Sequence, residues 1–429
     1  MAKINIITLG CSKNLVDSEN LATQINDKNI EFTFDEFNFD ADTVVINTCG
    51  FIADAKEESI NTILEFAKAK TDGKIDNLYV MGCLSERYKD ELSNDIPEVD
   101  QYFGVNDMQQ IAEQLKIDYK KELLGERVIS TPSHFAYLKI SEGCDRTCAF
   151  CAIPLIRGKH KSVPQEILLS QAKNLADKGV KELILIAQDL TYYGLDIYKK
   201  QMLAELVEKL SDIKAIEIIR LHYAYPASFP DDVLKVMKEK VNVAKYIDIP
   251  FQHISDSVLK RMKRRHNRTQ TIDLIKKLRE EIPEIAIRTT LLVGFPGETE
   301  KDFEALKKFV KKMRFDRLGV FTYSEEEHTF GGDNYEDDVP EDVKQARTDE
   351  IMEIQQQISY EINQTKVGKV FKVIIDKENE NYFIGRTEFD SPEVDNEVLI
   401  NKNKKLKIGE IYSVKIISAE EFDLYGELI

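Results

Sequence analysis

The sequence predicts an α/β protein with an amino-terminal parallel-sheet domain, a central incomplete (β/α)6 barrel and a small carboxyl-terminal antiparallel β-barrel. The chain has 429 residues, which is too long for one compact core. Short apolar runs alternate with amphipathic stretches over most of that length, as is typical of parallel sheets. The last part of the chain changes to a period-two pattern, which is typical of strands with one buried face.

The amino-terminal domain is predicted over residues 1–125. Strand-like runs cover residues 4–9, 43–47 and 78–81, and helical patterns lie near 55–70 and 85–92. Strands that alternate with helices pair in parallel, because each helical crossover returns the chain in the same direction. We therefore expect a parallel sheet whose strands end at a common edge.

The central domain is predicted over residues 130–335, because a second series of strands and helices begins at Phe135. Its candidate strands are 137–141, 182–187, 216–221, 245–249, 286–293 and 317–321, and its helical patterns include 164–178, 231–240, 272–281 and 300–312. Six strand–helix units predict a barrel or an incomplete barrel.

Two further segments follow the central domain. Residues 340–365 are charged and place Ile351, Ile354 and Ile358 at helical spacing, which predicts a connecting helix. Residues 366–429 alternate apolar and polar side chains, with glycines between the runs. This last pattern predicts the small β-barrel.

Charge and hydropathy exclude several classes of function. The formal net charge is −17, which argues against a stable nucleic-acid partner because such binding depends on lysine and arginine. No apolar run approaches the ~20 residues that a membrane span requires, and the first residues lack a secretory signal, so we expect no membrane partner. We expect a cytoplasmic protein, in which cysteines favour metal binding or redox chemistry over disulfides.

Three of the six cysteines share one short loop. Cys144, Cys148 and Cys151 follow the first strand of the central series with the spacing C-x-x-x-C-x-x-C. Three thiolates at this spacing can hold three irons of a cubane and leave the fourth iron open to a substrate. The alternative is a zinc site completed by a distant fourth ligand such as His160, although zinc usually prefers C-x-x-C pairs.

This loop resembles the signature of the radical S-adenosylmethionine (SAM) superfamily. The resemblance implies a 4Fe-4S cluster on Cys144, Cys148 and Cys151 whose open iron chelates SAM and splits it to methionine and a 5′-deoxyadenosyl radical. Phe150 matches the apolar position whose backbone meets the adenine of SAM. In such enzymes the cofactor carries the radical chemistry while the protein orients it and excludes water.

The other three cysteines each follow a predicted strand of the amino-terminal domain. Cys11, Cys49 and Cys83 are separated by 38 and 34 residues, since 49 − 11 = 38 and 83 − 49 = 34, and each has a glycine neighbour. These intervals match βα repeats, so the three thiols can converge where the strands end. The alternative is three unrelated cysteines, because cysteine is among the most often buried residue types.

Together the two triads resemble the methylthiotransferase family over essentially the whole chain, including a TRAM-type barrel at the carboxyl end. The resemblance implies a second 4Fe-4S cluster on Cys11, Cys49 and Cys83 that handles sulfur. It also implies that SAM serves twice, as methyl donor and as radical source. The stretches 10–19, 152–160 and 246–255 resemble the branch that methylthiolates the β-carbon of an aspartate in small-subunit ribosomal protein S-twelve.

That branch implies ribosomal protein S-twelve, free or in the small subunit, as partner, with flavodoxin or ferredoxin as electron donor. The charge of residues 366–429 favours this protein substrate, because 10 basic against 13 acidic residues gives 10 − 13 = −3. A barrel that grips transfer RNA should be basic. Two alternatives stay open: transfer RNA methylthiolation, and a non-catalytic metal-binding scaffold for RNA or protein.

Other SAM contacts are expected at the carboxyl ends of barrel strands. Gln188 and Asp189 follow the second strand of the central series, and the turn with Gly294, Gly297 and Glu298 follows the fifth. Barrel enzymes place ligand contacts at these strand ends, although such turns are also common as plain loops.

Two groups of charged or imidazole side chains can each be interpreted either as structural or as functional. Arg220, His222 and His253 lie near strand ends, where a lone histidine is more often structural than catalytic. The run 260–268 is the most basic stretch of the chain. It is either an exposed helix end or a surface that steers the enzyme towards ribosomal RNA.

Overall fold

The computed structural model describes residues 2–26, 30–120, 126–402 and 405–429. These residues form two compact units. The first comprises Met1–Thr131, Tyr137–Arg146 and Ala152–Leu175, and the second comprises Pro132–Ala136, Thr147–Cys151 and Ala176–Ile429. The domain boundary predicted at residue 125 lies outside the described residues. No helix in the described ranges is long and apolar enough to cross a membrane.

The first unit contains a five-stranded parallel sheet, as the sequence predicts. Its strands are β1 Ala2–Thr8, β2 Ile30–Phe34, β3 Thr43–Thr48, β4 Asn77–Gly82 and β5 Gln101–Tyr102, in the spatial order β2-β1-β3-β4-β5. Its helices are α1 Ser12–Ile25, α2 Ala53–Thr71, α3 Cys83–Asp95 and α4 Met108–Gln114. All six residues of β3 are buried, because helices cover both faces of the sheet.

The sequence did not predict β2, β5, α1 or α4. The strand β2 lies at the sheet edge and is only partly buried, and β5 has two residues, so neither shows a strong apolar run. The helix α1 buries polar side chains, among them Asn14, Asp17 and Ser18. A helix that buries polar groups lacks the apolar stripe on which periodicity depends.

A six-stranded sheet corresponds to the predicted incomplete barrel. The strands are β6 Phe135–Lys139, β9 Glu182–Ile186, β10 Ile218–Leu221, β11 Val243–Asp248, β12 Ala286–Val293 and β13 Arg317–Thr322, and a small hairpin pairs β7 Ser141–Glu142 with β8 Lys161–Ser162. The order is β13-β12-β11-β10-β9-β6, with parallel pairs from β13 to β9. The helices are α5 Ile153–Ile156, α6 Gln165–Asp177, α7 Leu203–Ser211, α8 Asp231–Glu239, α9 Asp256–Arg261, α10 Arg268–Glu281, α11 Glu300–Met313 and α12 Phe330–Asn334.

The connecting helix and the small barrel also form as predicted. The helix α13 covers Glu341–Gln364, and the barrel strands are β14 Val370–Glu378, β15 Tyr382–Arg386, β16 Glu397–Asn401, β17 Ile411–Ala419 and β18 Asp423–Leu428. The barrel is closed in the order β14-β15-β16-β18-β17. Its pairs are antiparallel except for β16 with β18, which run parallel.

Within the second unit, buried charges join the six-stranded sheet to the small barrel. The Glu182 carboxylate accepts a hydrogen bond from Arg220 Nε at 2.8 Å and forms an ion pair with Arg386 Nη2 at 2.6 Å, and neither Glu182 nor Arg220 is exposed to solvent. Arg386 also pairs with Asp376 at 2.8 Å. His222 Nε2 lies 2.9 Å from Ser391 Oγ. Arg220 and His222 therefore have structural partners, in agreement with the structural interpretation.

We expect Glu182→Gln to lower the free energy of unfolding of the second unit by about 3–5 kcal/mol, because buried Arg220 and Arg386 lose the carboxylate that they share, while Arg386 keeps Asp376. Urea unfolding measures this change as a lower midpoint. Burial by itself raises the pKa of Glu182, but Arg386 and Arg220 outweigh burial and lower it. The ionised carboxylate thus stabilises the fold above its ordinary pKa, and the difference between variant and parent should shrink as pH falls through the lowered pKa.

The matched control is Glu205→Gln. Glu205 pairs with Lys209 at 2.7 Å on the exposed face of α7, where both side chains are more than 40% exposed. An exposed pair contributes less than about 1 kcal/mol. Equal midpoints for the two variants would contradict a stabilising role for the buried network.

Candidate functional site

The cysteines of the first unit lie at one edge of its sheet. Cys11 is the residue before α1, three positions after β1 ends, while Cys49 directly follows β3 and Cys83 directly follows β4. Because β1, β3 and β4 are neighbouring parallel strands, their carboxyl ends meet at the same edge. Cys49 and Cys83 are buried and Cys11 is exposed. The predicted convergence is present in the fold.

Asn14 connects the three cysteine loops. Its Nδ2 donates to Leu9 O at 2.8 Å and to Thr48 O at 3.0 Å, and its Oδ1 lies 3.6 Å from Cys83 Sγ. Leu9 and Thr48 each stand within two residues of a cysteine. One fully buried amide therefore fixes the spacing of all three loops.

The glycines beside the cysteines allow the loops to approach one another. A Cβ on Gly10 would lie 2.6 Å from Cys49 Cβ and 2.8 Å from Cys49 Sγ, and Gly10 has φ +90°. A Cβ on Gly82, at φ +102°, would lie 2.6 Å from Thr48 O. Glycine is required at both positions by the neighbouring chain and by the backbone angle.

The electrostatics of these thiols depend on burial. Burial raises the pKa of the Cys49 thiol and raises that of Cys83 to about 12, although the charge of Arg157 opposes the second shift. The thiolate is the form that binds iron, so the metal has to displace a proton from each thiol. The donor set, three soft sulfurs in a largely buried crevice, fits an iron–sulfur cluster.

In the part of the chain that the structure describes, no group of three or more His, Cys, Asp or Glu side chains could hold a single metal ion. In a structural zinc site, four ligands meet at one atom. A cubane differs because each thiolate binds its own iron, and the sulfurs then surround a cluster rather than a point.

The radical-loop cysteines are all half-buried and anchored by backbone hydrogen bonds. In the first unit, Cys144 N donates to Gly158 O at 3.1 Å. In the second unit, Cys151 N donates to Cys148 O at 3.2 Å, and Ala149 N donates to Met262 O at 2.9 Å. His160, one fourth ligand that the zinc alternative considered, places its Nε2 3.0 Å from Ser162 Oγ.

The interpretation of the basic run 260–268 as an exposed helix end is wrong for part of the run. The helix α9 ends at Arg261 and α10 begins at Arg268, so the run lies mostly between two helices. Arg264 Nη1 lies 3.3 Å from Cys148 Sγ, and its guanidinium lies 4.3 Å from the centroid of the Tyr225 ring. Arg265 remains exposed. Part of the run therefore supports the radical loop.

The SAM contacts expected near β9 and on the radical loop occupy different environments. Phe150 is half-buried, with its ring centroid 6.4 Å from that of Phe295. Gln188 is half-buried, whereas Asp189 is 2% exposed. The Asp189 carboxylate accepts from Thr191 N at 2.9 Å and from its Oγ1 at 2.7 Å, and so caps the 3-10 helix Leu190–Tyr192.

The turn after β12 is held by α13. Gly294 N donates to Glu298 Oε2 at 2.8 Å, and Glu298 Oε1 lies 3.0 Å from Arg347 Nη1. Burial raises the pKa of Glu298 to about 7, against the charge of Arg347. Gly297 N donates to Asp338 Oδ1 at 2.7 Å. Both ends of this turn thus have partners within the protein.

Sequence reasoning missed Asn14 and Arg157. Asn14 stands three residues after Cys11, which places it on the same face of a helix, and this spacing is a signal that could have found it. Arg157 donates to Cys83 Sγ at 3.4 Å across 74 residues of chain. No local pattern predicts a contact at that separation.

Three family descriptions match this chain. Residues 3–104 match the uncharacterized protein family UPF0004, residues 138–310 match the radical SAM superfamily, and residues 367–429 match the TRAM domain. Among solved structures, a radical SAM methyltransferase, TsrM from Kitasatospora setae, superimposes with a TM-score of 0.55. The similarity covers 77% of each chain at 14% identity, which supports a shared fold.

Curated relatives match over nearly the full length. A protein of Christiangramia forsetii named ribosomal protein uS12 methylthiotransferase RimO is 59% identical, covering 99% of this chain and 94% of its own. A protein of the same name from Flavobacterium johnsoniae is 58% identical and covers 99% and 98%. The chain therefore belongs to the ribosomal protein uS12 methylthiotransferase family, within the radical SAM superfamily.

Proposed function

We propose that this protein adds a methylthio group to the β-carbon of an aspartate in ribosomal protein uS12. The β-C–H of an aspartate is too weakly acidic for a side-chain base, so abstraction of a hydrogen atom is the plausible activation. The observation that carries the proposal is the second triad, because Asn14 connects all three of its loops. This second set of three thiols gives the chain a site for the sulfur chemistry that the radical loop does not itself supply.

Each triad has a separate role in this proposal. The cluster that cleaves SAM is bound by Cys144, Cys148 and Cys151. The second cluster is bound by Cys11, Cys49 and Cys83. When bound, the two 4Fe-4S clusters and SAM supply the methyl group, the sulfur chemistry and the radical. The protein itself holds the thiols and orients the substrate.

The residues proposed to contact SAM fall into two sets: those that can touch the cofactor, and those that shape the loops around it. Phe150 and Gln188 are half-buried and belong to the loops after β7 and β9, where their backbone can meet the adenine and ribose. Asp189 shapes the loop after β9, and Gly294, Gly297 and Glu298 shape the turn after β12, since their polar groups already bond to the protein. We assign the second set to positioning the turns around the cofactor.

The substrate assignment is supported by the named relatives and by charge. Residues 366–429 carry 10 basic and 13 acidic side chains, a balance suited to a lysine- and arginine-rich ribosomal protein. The enzyme acts in the cytoplasm in this proposal, on free uS12 or on the small subunit. A reduced flavodoxin or ferredoxin supplies the electron.

A strain that lacks this gene tests the substrate. We expect intact-mass spectra of its uS12 to lack the methylthio group, and its transfer RNA nucleosides to match those of the parent, because the substrate is the protein. A plasmid copy should restore the uS12 mass. Loss of a methylthio nucleoside with unchanged uS12 would refute the substrate assignment.

A further inference from the structure

Arg157 is a buried side chain that the proposed function does not use. It is the residue that follows α5, six positions after Cys151, and it is 4% exposed. Its guanidinium lies within the first compact unit, as do the cysteines at the ends of β1, β3 and β4. A buried guanidinium is retained only where several acceptors satisfy it.

The two ends of this guanidinium have different partners. Nη2 donates to Cys83 Sγ at 3.4 Å and to Asn14 Oδ1. Nη1 donates to Asp17 Oδ2 at 2.6 Å and to Glu142 Oε2 at 3.1 Å. The rigid fork of arginine therefore fixes the Nη2 end against the cysteine while the carboxylates hold the other end.

Lys139 is a second cation beside the two carboxylates that bind Arg157. Lys139 Nζ lies 2.7 Å from Glu142 Oε2 and also pairs with Asp17. Two carboxylates then balance two cations, so the charge of Arg157 does not destabilise the fold. The Nη2 end is nevertheless the positive group nearest Cys83 Sγ among the contacts described, and nearby charge acts more strongly in a buried crevice.

The same contacts connect the segments of both triads. Asp17 lies on α1, which begins at the residue after Cys11, and Glu142 lies two residues before Cys144. Arg157 also bonds to Asn14, which links the loops of the second triad. A displacement of Arg157 is therefore transmitted to Cys83 and to the start of the radical loop.

We propose that Arg157 is a positioning residue that donates a hydrogen bond to the Cys83 thiolate of the second cluster and raises the reduction potential of that cluster. This inference rests on the proposed assignment of Cys11, Cys49 and Cys83 as cluster ligands. Hydrogen bonds to cluster sulfurs, and a nearby positive charge, favour the reduced state because reduction adds negative charge.

The test is a redox titration of the second cluster, followed by electron paramagnetic resonance. All variants are made in the full-length protein with Cys144, Cys148 and Cys151 replaced by alanine, so that the signal comes from one cluster. This cysteine-substituted protein is the parent in the comparisons below. We expect Arg157→Gln to shift the reduction equilibrium roughly tenfold towards the oxidised state, about 59 mV more negative for one electron. Arg157→Lys should give a smaller shift, since one ammonium cannot serve both Cys83 and the carboxylates.

Arg127→Gln is the matched control. Arg127 is a buried arginine of the same unit that pairs with Glu19 at 3.0 Å. We expect the midpoint potential of this variant to equal that of the parent. A parental midpoint in an iron-loaded Arg157→Gln or Arg157→Lys variant would overturn the inference about Arg157 alone. A parent that binds no cluster at the remaining cysteines would instead overturn their assignment as ligands.

Discussion

Replacement of Cys11, Cys49 and Cys83 by alanine is expected to abolish methylthio transfer while leaving the cleavage of SAM intact. The three cysteines follow β1, β3 and β4 at one edge of the first sheet, so the triple substitution removes every thiol of the second triad. The radical loop has its own backbone anchors at Gly158 and Met262, which the substitution leaves unchanged. The variant should therefore keep one cluster and lose the sulfur chemistry.

Three measurements check this expectation. Iron should fall from about eight to about four atoms per chain after anaerobic reconstitution. Formation of 5′-deoxyadenosine should continue, and a uS12 peptide should gain no methylthio mass. Thr23→Ala, a buried change on α1, should keep full iron and full product. Product from the triple variant would show that sulfur is handled elsewhere.

The arrangement of the second triad could be predicted from the sequence because it depends on strand ends. Parallel strands place their carboxyl ends together, so knowing where β1, β3 and β4 stop was enough to bring three distant cysteines to one edge. The predicted ends were correct to within one residue for each of these strands. The role of these cysteines as cluster ligands came from the family resemblance and stays a prediction.

The polar contacts around the triad could not be predicted in the same way. Asn14 and Asp17 are buried on α1, where periodicity searches look for apolar residues. Arg157 reaches Cys83 across 74 residues, and Arg220 reaches Glu388 O across 168. Such contacts depend on how elements pack. Hydrophobic patterns predict the helices and strands, but they do not predict how these helices and strands pack together.

The small barrel shows the same limit. Period two predicts strands with one buried face, yet it does not specify which strands pair or in which direction. The parallel pairing of β16 with β18 therefore had no signal in the sequence. The buried Glu182 likewise gives no local indication that its partners are Arg220 and Arg386.

In each triad, an arginine side chain contacts one of the cysteines. In the first unit Arg157 donates to Cys83, and in the second unit Arg264 donates to Cys148 at 3.3 Å. Burial lowers the pKa of Arg264, but the Cys148 thiolate and its other neighbours outweigh burial and raise it. A permanent positive charge beside a ligand sulfur favours the thiolate form, which is the form that binds iron.

Cys148→Ala is expected to abolish 5′-deoxyadenosine formation, and with it methylthio transfer to uS12. In the proposed assignment the cluster of the radical loop has three thiolate ligands, so the loss of one leaves a second iron without a protein ligand. The crevice with Cys11, Cys49 and Cys83 is unaltered. S-adenosylhomocysteine, the product of polar methyl transfer from SAM, should therefore still form in an amount limited by the enzyme.

The two cysteine variants should thus fail in opposite ways, because one keeps radical formation and the other keeps methyl transfer. Chromatography of both adenosyl products from the same reaction measures this difference directly. Thr147→Ala changes an exposed neighbour on the same loop and should retain both products. If Cys148→Ala still released 5′-deoxyadenosine, the radical step would have to take place at other ligands. If Cys148→Ala also stopped forming S-adenosylhomocysteine, methyl transfer would depend on the radical loop. The proposal that the two clusters have separate roles would then be wrong.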